Sequence, residues 1–182
     1  MNRILIRIAA ALMIVALVSF AMTAIAQEKA STEKKMSAPS ISGTWKLVSR
    51  KLPDGTTMTP PMIEGLQTFT KTMRNFNVAW ADPSGKHFSY SVISNYKLTD
   101  KEYSETVMYS CMNDEIGMMK NMPSGKGPVY VFKGETKTAP VTLDGSKVTF
   151  QLPFDPPKAT FDGNNMTATL EGGFTDTWEK TH

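Results

Sequence analysis

Two stretches of the chain set a charge inside an apolar stripe. Along 74–80, alternate residues are Arg74, Phe76, Val78 and Trp80; along 103–109 they are Tyr103, Glu105, Val107 and Tyr109. An extended backbone turns successive side chains to opposite faces, so each set shares one face. The opposite faces, Asn75/Asn77/Ala79 and Ser104/Thr106/Met108, are more polar. The charge-bearing apolar sets are therefore expected to face inward. An inward charge is costly unless it is paired or hydrated. Arg74 and Glu105 can meet that demand as a structural ion pair, or a bulge can turn one of them out. They can also serve as polar anchors in a ligand cavity. In that third reading the walls are Phe76, Trp80, Tyr103 and Tyr109, with Tyr90 and Tyr130 joining from other strands. An arginine fork suits a planar carboxylate and tyrosine hydroxyls add anchors, which favours an aromatic or acyl ligand with an acidic group.

Other chemistry finds less support. His87 and His182 are the only histidines, and no pair has the spacing of zinc ligands. Gly-Lys occurs at 85–86 and 125–126 without the Ser or Thr and the upstream Gly of a phosphate loop. No G-x-S-x-G elbow or Cys/His pair is visible. No catalytic residue, metal or cofactor is assigned, while carboxylate acid–base catalysis stays open because spacing alone never excludes it. The segment Cys111 to Met122 holds one thiol and four thioethers. Soft sulfur suits Cu(I), but methionine also fills and covers hydrophobic surfaces. With no regular methionine array, the segment is read as a metal-free lid over a cavity.

Positioning these residues falls to short β runs. Asp54-Gly55, Ser84-Gly85, Ser124-Gly125, Asp144-Gly145, Asp162-Gly163 and Gly172-Gly173 punctuate the chain with tight-turn chemistry. Strands are expected at 43–51, 67–80, 87–97, 102–110, 128–137, 147–152, 158–162, 165–171 and 174–180. Short helical segments are expected after Pro60-Pro61 and from Asn113 to Asn121. Many short strands with few helical stretches point to a sandwich or barrel.

The chain has 182 residues. Residues 1–26 carry Arg3 and Arg7, an apolar run from Ile8 to Phe20, and Ala24-Ile25-Ala26. That is the plan of a secretory signal peptide. Cleavage would leave a polar linker at 27–40 and one domain at 41–182, exported to the periplasm or secreted, with no stable membrane anchor. The 20 basic and 17 acidic residues are scattered, which offers no basic stripe for nucleic acid. One cysteine cannot form an internal disulfide, so the core must hold the fold.

The opening Gly43-Thr44-Trp45-Lys46-Leu47-Val48-Ser49 resembles the first strand of lipocalins and their relatives. The order that follows is similar to the bacterial lipocalin-like domain family: Thr70 to Trp80, Tyr96-Lys97-Leu98, Tyr103 to Ser110, and a closing Thr177-Trp178-Glu179-Lys180. The resemblance covers about 41–182. It implies an all-β, single antiparallel up-and-down β-barrel of lipocalin (calycin) type with about eight to ten strands and an internal cavity. It brings no agreed activity. Trp45 is expected to plug the closed end near Trp178, and Lys180 is the basic residue nearest the closing position. The expected partner is a small hydrophobic or amphipathic molecule. An enzyme acting in the cavity, or an interaction module with a filled barrel, are the alternatives.

Overall fold

The computed structural model describes residues 40–117, the backbone of 125–130, and residues 134–181. The expected signal peptide and nearly all of the linker lie outside them. Within them the chain is all-β. Twelve strands run β1 (Gly43–Lys51), β2 (Thr57–Met58), β3 (Ile63–Phe69), β4 (Met73–Ala81), β5 (His87–Leu98), β6 (Glu102–Asp114), β7 (Gly125–Tyr130), β8 (Thr136–Asp144), β9 (Lys147–Gln151), β10 (Lys158–Asp162), β11 (Asn165–Thr169) and β12 (Thr175–Lys180). Setting aside β2, which pairs with β1, and β7, which pairs with β6, ten strands form an antiparallel meander closed by pairing of β12 with β1. Closure removes the free sheet edges that would invite association.

Several expected boundaries shift. The single strand expected at 67–80 is a hairpin, β3–β4, that turns at Thr70–Thr72. Thr70 tightens this turn through its hydroxyl, which accepts the Met73 amide at 2.9 Å. The expected strand at 128–137 divides into β7 and β8. No helix forms among the described residues. The Pro60-Pro61 segment is a turn, with the Met62 amide on the Thr59 carbonyl at 2.9 Å. Asn113 and Asp114 end strand β6 instead of opening a helix. Cys111 and Met112 belong to the same strand, so at least these residues of the expected lid are barrel wall; 118–122 lie outside the described residues. Asp144-Gly145 and Asp162-Gly163 do turn β8 into β9 and β10 into β11, with φ of 59° and 61° at the glycines.

The closed end is packed solid. Trp45 and Trp178 are both 1% exposed. Leu47 lies opposite Trp178, and Trp45 opposite Lys180, in the β1–β12 ladder. The Lys180 ammonium sits 5.5 Å from the centre of the Trp45 ring, and the Trp45 indole donates to the Ile41 carbonyl at 3.2 Å. Phe69, Tyr96, Tyr103, Phe150 and Phe161 pack beside them as a run of aromatic contacts, from Phe69–Tyr96 at 5.5 Å to Tyr103–Phe150 at 4.2 Å. Gly65 makes room for Trp178: a Cβ there would lie 2.7 Å from the indole.

Candidate functional site

β4 carries its stripe as the spacing predicts. Arg74 and Val78 are buried, Phe76 and Trp80 partly so, and Asn75, Asn77 and Ala79 are exposed. In β6, Tyr103, Glu105 and Val107 are buried, but Tyr109 is 38% exposed. The expectation that Tyr109 faces inward is overturned by a β-bulge. Against β5, Ser94 pairs with Val107 and Ile93 with Tyr109, so Met108 is the extra residue. A bulge puts two residues against one and breaks the period of two. Beyond it Ser110, Met112 and Asp114 take the inward face. Tyr130 is placed by its backbone opposite Ser110, and its side chain lies outside the described residues.

Just past the β3–β4 turn, Arg74 Nη1 donates to Glu105 Oε1 at 3.0 Å. Its Nη2 donates to Asp155 Oδ2 at 2.7 Å. The Ser94 hydroxyl also donates to Glu105 Oε1. Asp155 escapes a strand-based reading because it lies between β9 and β10, in Leu152-Pro153-Phe154-Asp155-Pro156-Pro157. Three prolines deprive that stretch of the amides it would need to lengthen the ladder, and Asp155 turns inward instead. Burial alone would lower the pKa of Arg74, but the charges of Asp155 and then Glu105 outweigh it and raise it. Burial, followed by the charge of Glu105, pushes the Tyr103 hydroxyl well up. Burial, followed by the charge of Asp155, pushes up that of Tyr90. Arg74 Nε, Glu105 Oε2 and Tyr103 Oη are buried without hydrogen-bond partners among the described residues. Phe76 lies between Tyr90 at 6.0 Å and Trp178 at 5.9 Å. Of the expected site residues, Arg74, Glu105, Tyr103, Tyr90 and Phe76 are thus gathered about one buried ion cluster.

No family model matches this chain, and neither a curated protein nor a solved structure matches it.

A second buried arginine lines a cleft of its own. A cleft of about 740 Å³ opens at the other end of the barrel, lined by residues that include Arg50, Met58, Met62, Trp80, Ile116 and Phe174. Its volume falls in the range of small-molecule sites. Of the expected site residues whose side chains are described, Trp80 alone lines it. Arg50 is buried there, with Nε on Asp176 Oδ1 at 2.6 Å and Nη2 on Asp176 Oδ2 at 2.7 Å, a fork on one carboxylate. The register places Arg50 opposite Asp176 across β1 and β12. The guanidinium is also sandwiched between Trp80, 4.5 Å from the ring centre, and Phe174, at 3.8 Å. Trp80 stacks in turn on Phe88 at 4.2 Å. Burial raises the pKa of Asp176, although the hydrogen bonds and charge of Arg50 pull it down.

Simple alternation in β1 puts Arg50 on the face opposite Trp45 and Leu47. The ladder with β12 slips between Leu47 and Ser49, and past the slip Arg50 points inward with them. Nothing in the local sequence marks that slip. The feature that could have pointed to Arg50 is Asp176, an acid in the strand that closes the barrel.

Proposed function

We propose that this chain is an exported, lipocalin-like protein that binds a small, partly apolar molecule in the cleft at the open end of its barrel. The observation that carries the reading is the cleft itself. It is ligand-sized, has Met58, Met62, Trp80, Ile116 and Phe174 among its walls, and has a buried arginine at its base. The closed meander, the plug at Trp45 and the Lys180 contact support the family resemblance drawn from the sequence. The plan of residues 1–26 supports export to the periplasm or beyond. An acidic ligand held by Arg74 is set aside, because Arg74 already faces two carboxylates.

Native mass spectrometry of protein purified from its own host tests the reading. The expected result is a mature chain beginning at Gln27 with a retained small molecule that Met62→Trp, which narrows the cleft, displaces. An intact Met1 terminus would sink the export claim. A ligand-free protein whose Met62→Trp form behaves identically would sink the binding claim. The interaction-module alternative has one observation in its favour, the solid aromatic packing of the closed end, and would then take precedence.

A further inference from the structure

Resting on the cleft reading, we infer that the cleft selects an uncharged ligand, one that is flat, partly apolar and offers a hydrogen-bond acceptor to Arg50. The inference comes from the charges around the cleft. Among the described residues Arg50 is the only lysine or arginine that lines it, with His87 as the one further basic side chain, and Asp176 already neutralises Arg50. Glu64 and Asp82 line the cleft as well, so its described wall carries more carboxylate than cation. The neighbouring Lys51 and Lys86 are exposed and do not line it.

A negative group entering here would lose hydration and meet Glu64 and Asp82, while Arg50 is already forked on Asp176 and the other basic side chain of the described wall, His87, is exposed to solvent at the rim. A positive group fares no better at the base. There it would meet the Arg50 guanidinium, which occupies the faces of Trp80 and Phe174 that could otherwise hold a cation. The remaining face of Trp80 is covered by Phe88. What the base still offers is Arg50 Nη1, which makes no hydrogen bond among the described residues while Nε and Nη2 are bound. A carbonyl or ether oxygen can accept from it without adding charge. The apolar body of such a ligand would lie along Met58, Met62 and Ile116.

A matched pair of fluorescent probes tests this on the mature protein. N-phenylnaphthylamine and anilinonaphthalene sulfonate share one aromatic body and differ in the anionic group. The neutral probe is expected to bind about tenfold or more tightly than the sulfonate, with the gap narrowing at high salt as the rim charges are screened. Glu64→Gln combined with Asp82→Asn is expected to narrow it too. Prodan, whose ketone reports hydrogen bonding through its emission, addresses the acceptor. It should lose roughly two- to tenfold in affinity when Arg50→Met and Asp176→Leu are made together, the worth of one hydrogen bond. N-phenylnaphthylamine, which offers no carbonyl acceptor, should show no such loss on the double variant. If the sulfonate binds as tightly as the neutral probe, or the gap ignores both salt and the rim variant, the inference falls while the cleft reading stands. If none of the probes binds, the cleft reading itself fails and takes the inference with it.

Discussion

Two arginines are buried in this barrel, and their surroundings differ in charge. Arg50, at the open end, has one carboxylate, gripped by two hydrogen bonds, and two aromatic rings around it. Arg74, just past the β3–β4 turn, has two carboxylates, each held by a single hydrogen bond, and three polar atoms in its cluster without partners among the described residues. The first is a closed, neutral unit that can form the base of a binding cleft. The second carries more negative than positive charge and joins β4, β6 and the β9–β10 connection, three parts of the chain far apart in sequence. Burying an ion pair scarcely stabilises a fold by itself, because desolvation cancels most of the attraction, but removing one partner leaves the other stranded. The central cluster is therefore expected to act as a structural tie, and the one at the open end as a platform.

The largest expected effect follows from stranding charge. Arg74→Met leaves Glu105 and Asp155 buried and unpaired and should cost about 3–5 kcal/mol in urea or thermal unfolding. Arg50→Met strands one carboxylate beside the open end, where water can reach it, and should cost about 1–3 kcal/mol. Equal losses would erase the distinction between tie and platform.

Double replacement sharpens the comparison. Arg50→Met with Asp176→Leu restores neutrality with apolar side chains of similar bulk, and should bring stability back to within about 1 kcal/mol of the parent. Arg74→Met with Glu105→Gln still leaves Asp155 charged, and should recover much less of its loss. Matching recoveries in chemical denaturation would show that Asp155 does not belong to the central cluster.

The smallest effect at neutral pH concerns the tyrosines around Arg74. Among the described residues the Tyr103 hydroxyl has no hydrogen-bond partner, so Tyr103→Phe should change stability by less than about 1 kcal/mol at pH 7. Its consequence appears in alkali. Tyr90 and Tyr103 both have folded pKa values raised above the ordinary 10.0, so the native state keeps protons that the unfolded chain gives up. Their contribution is complete below pH 10 and is lost as pH rises from there towards the folded values. Melting temperature should fall with pH above about 10, and less steeply in Tyr90→Phe and Tyr103→Phe. An unchanged slope in both variants would show that these hydroxyls do not titrate with unfolding.

Much of the candidate interior was legible because alternation is a local property. The set Arg74, Phe76, Val78 and Trp80 needed only an unbroken strand, and β4 supplied one. Tyr103 and Glu105 were legible for the same reason, up to the bulge at Met108. There the inward face passes to Ser110 and Met112, and Tyr109 turns to the outside. The slip in β1 works the opposite way and brings Arg50 in. A bulge exists only relative to a partner strand, so the residues on one strand do not encode where it falls.

The sequence by itself determined the rhythm of short strands and turns, the inward stripe of β4 and the pairing of Arg74 with Glu105 as one of its options. These depend on the period of two, on turn chemistry and on the cost of burying an unpaired charge, all of which act over a few residues. The tertiary structure alone decided that Asp155 joins Arg74, that Arg50 meets Asp176, and that a ligand-sized cleft opens beside Arg50. Each of these depends on which strands become neighbours when β12 closes onto β1, and on a proline-rich connection that cannot extend the ladder and so delivers its carboxylate to the interior.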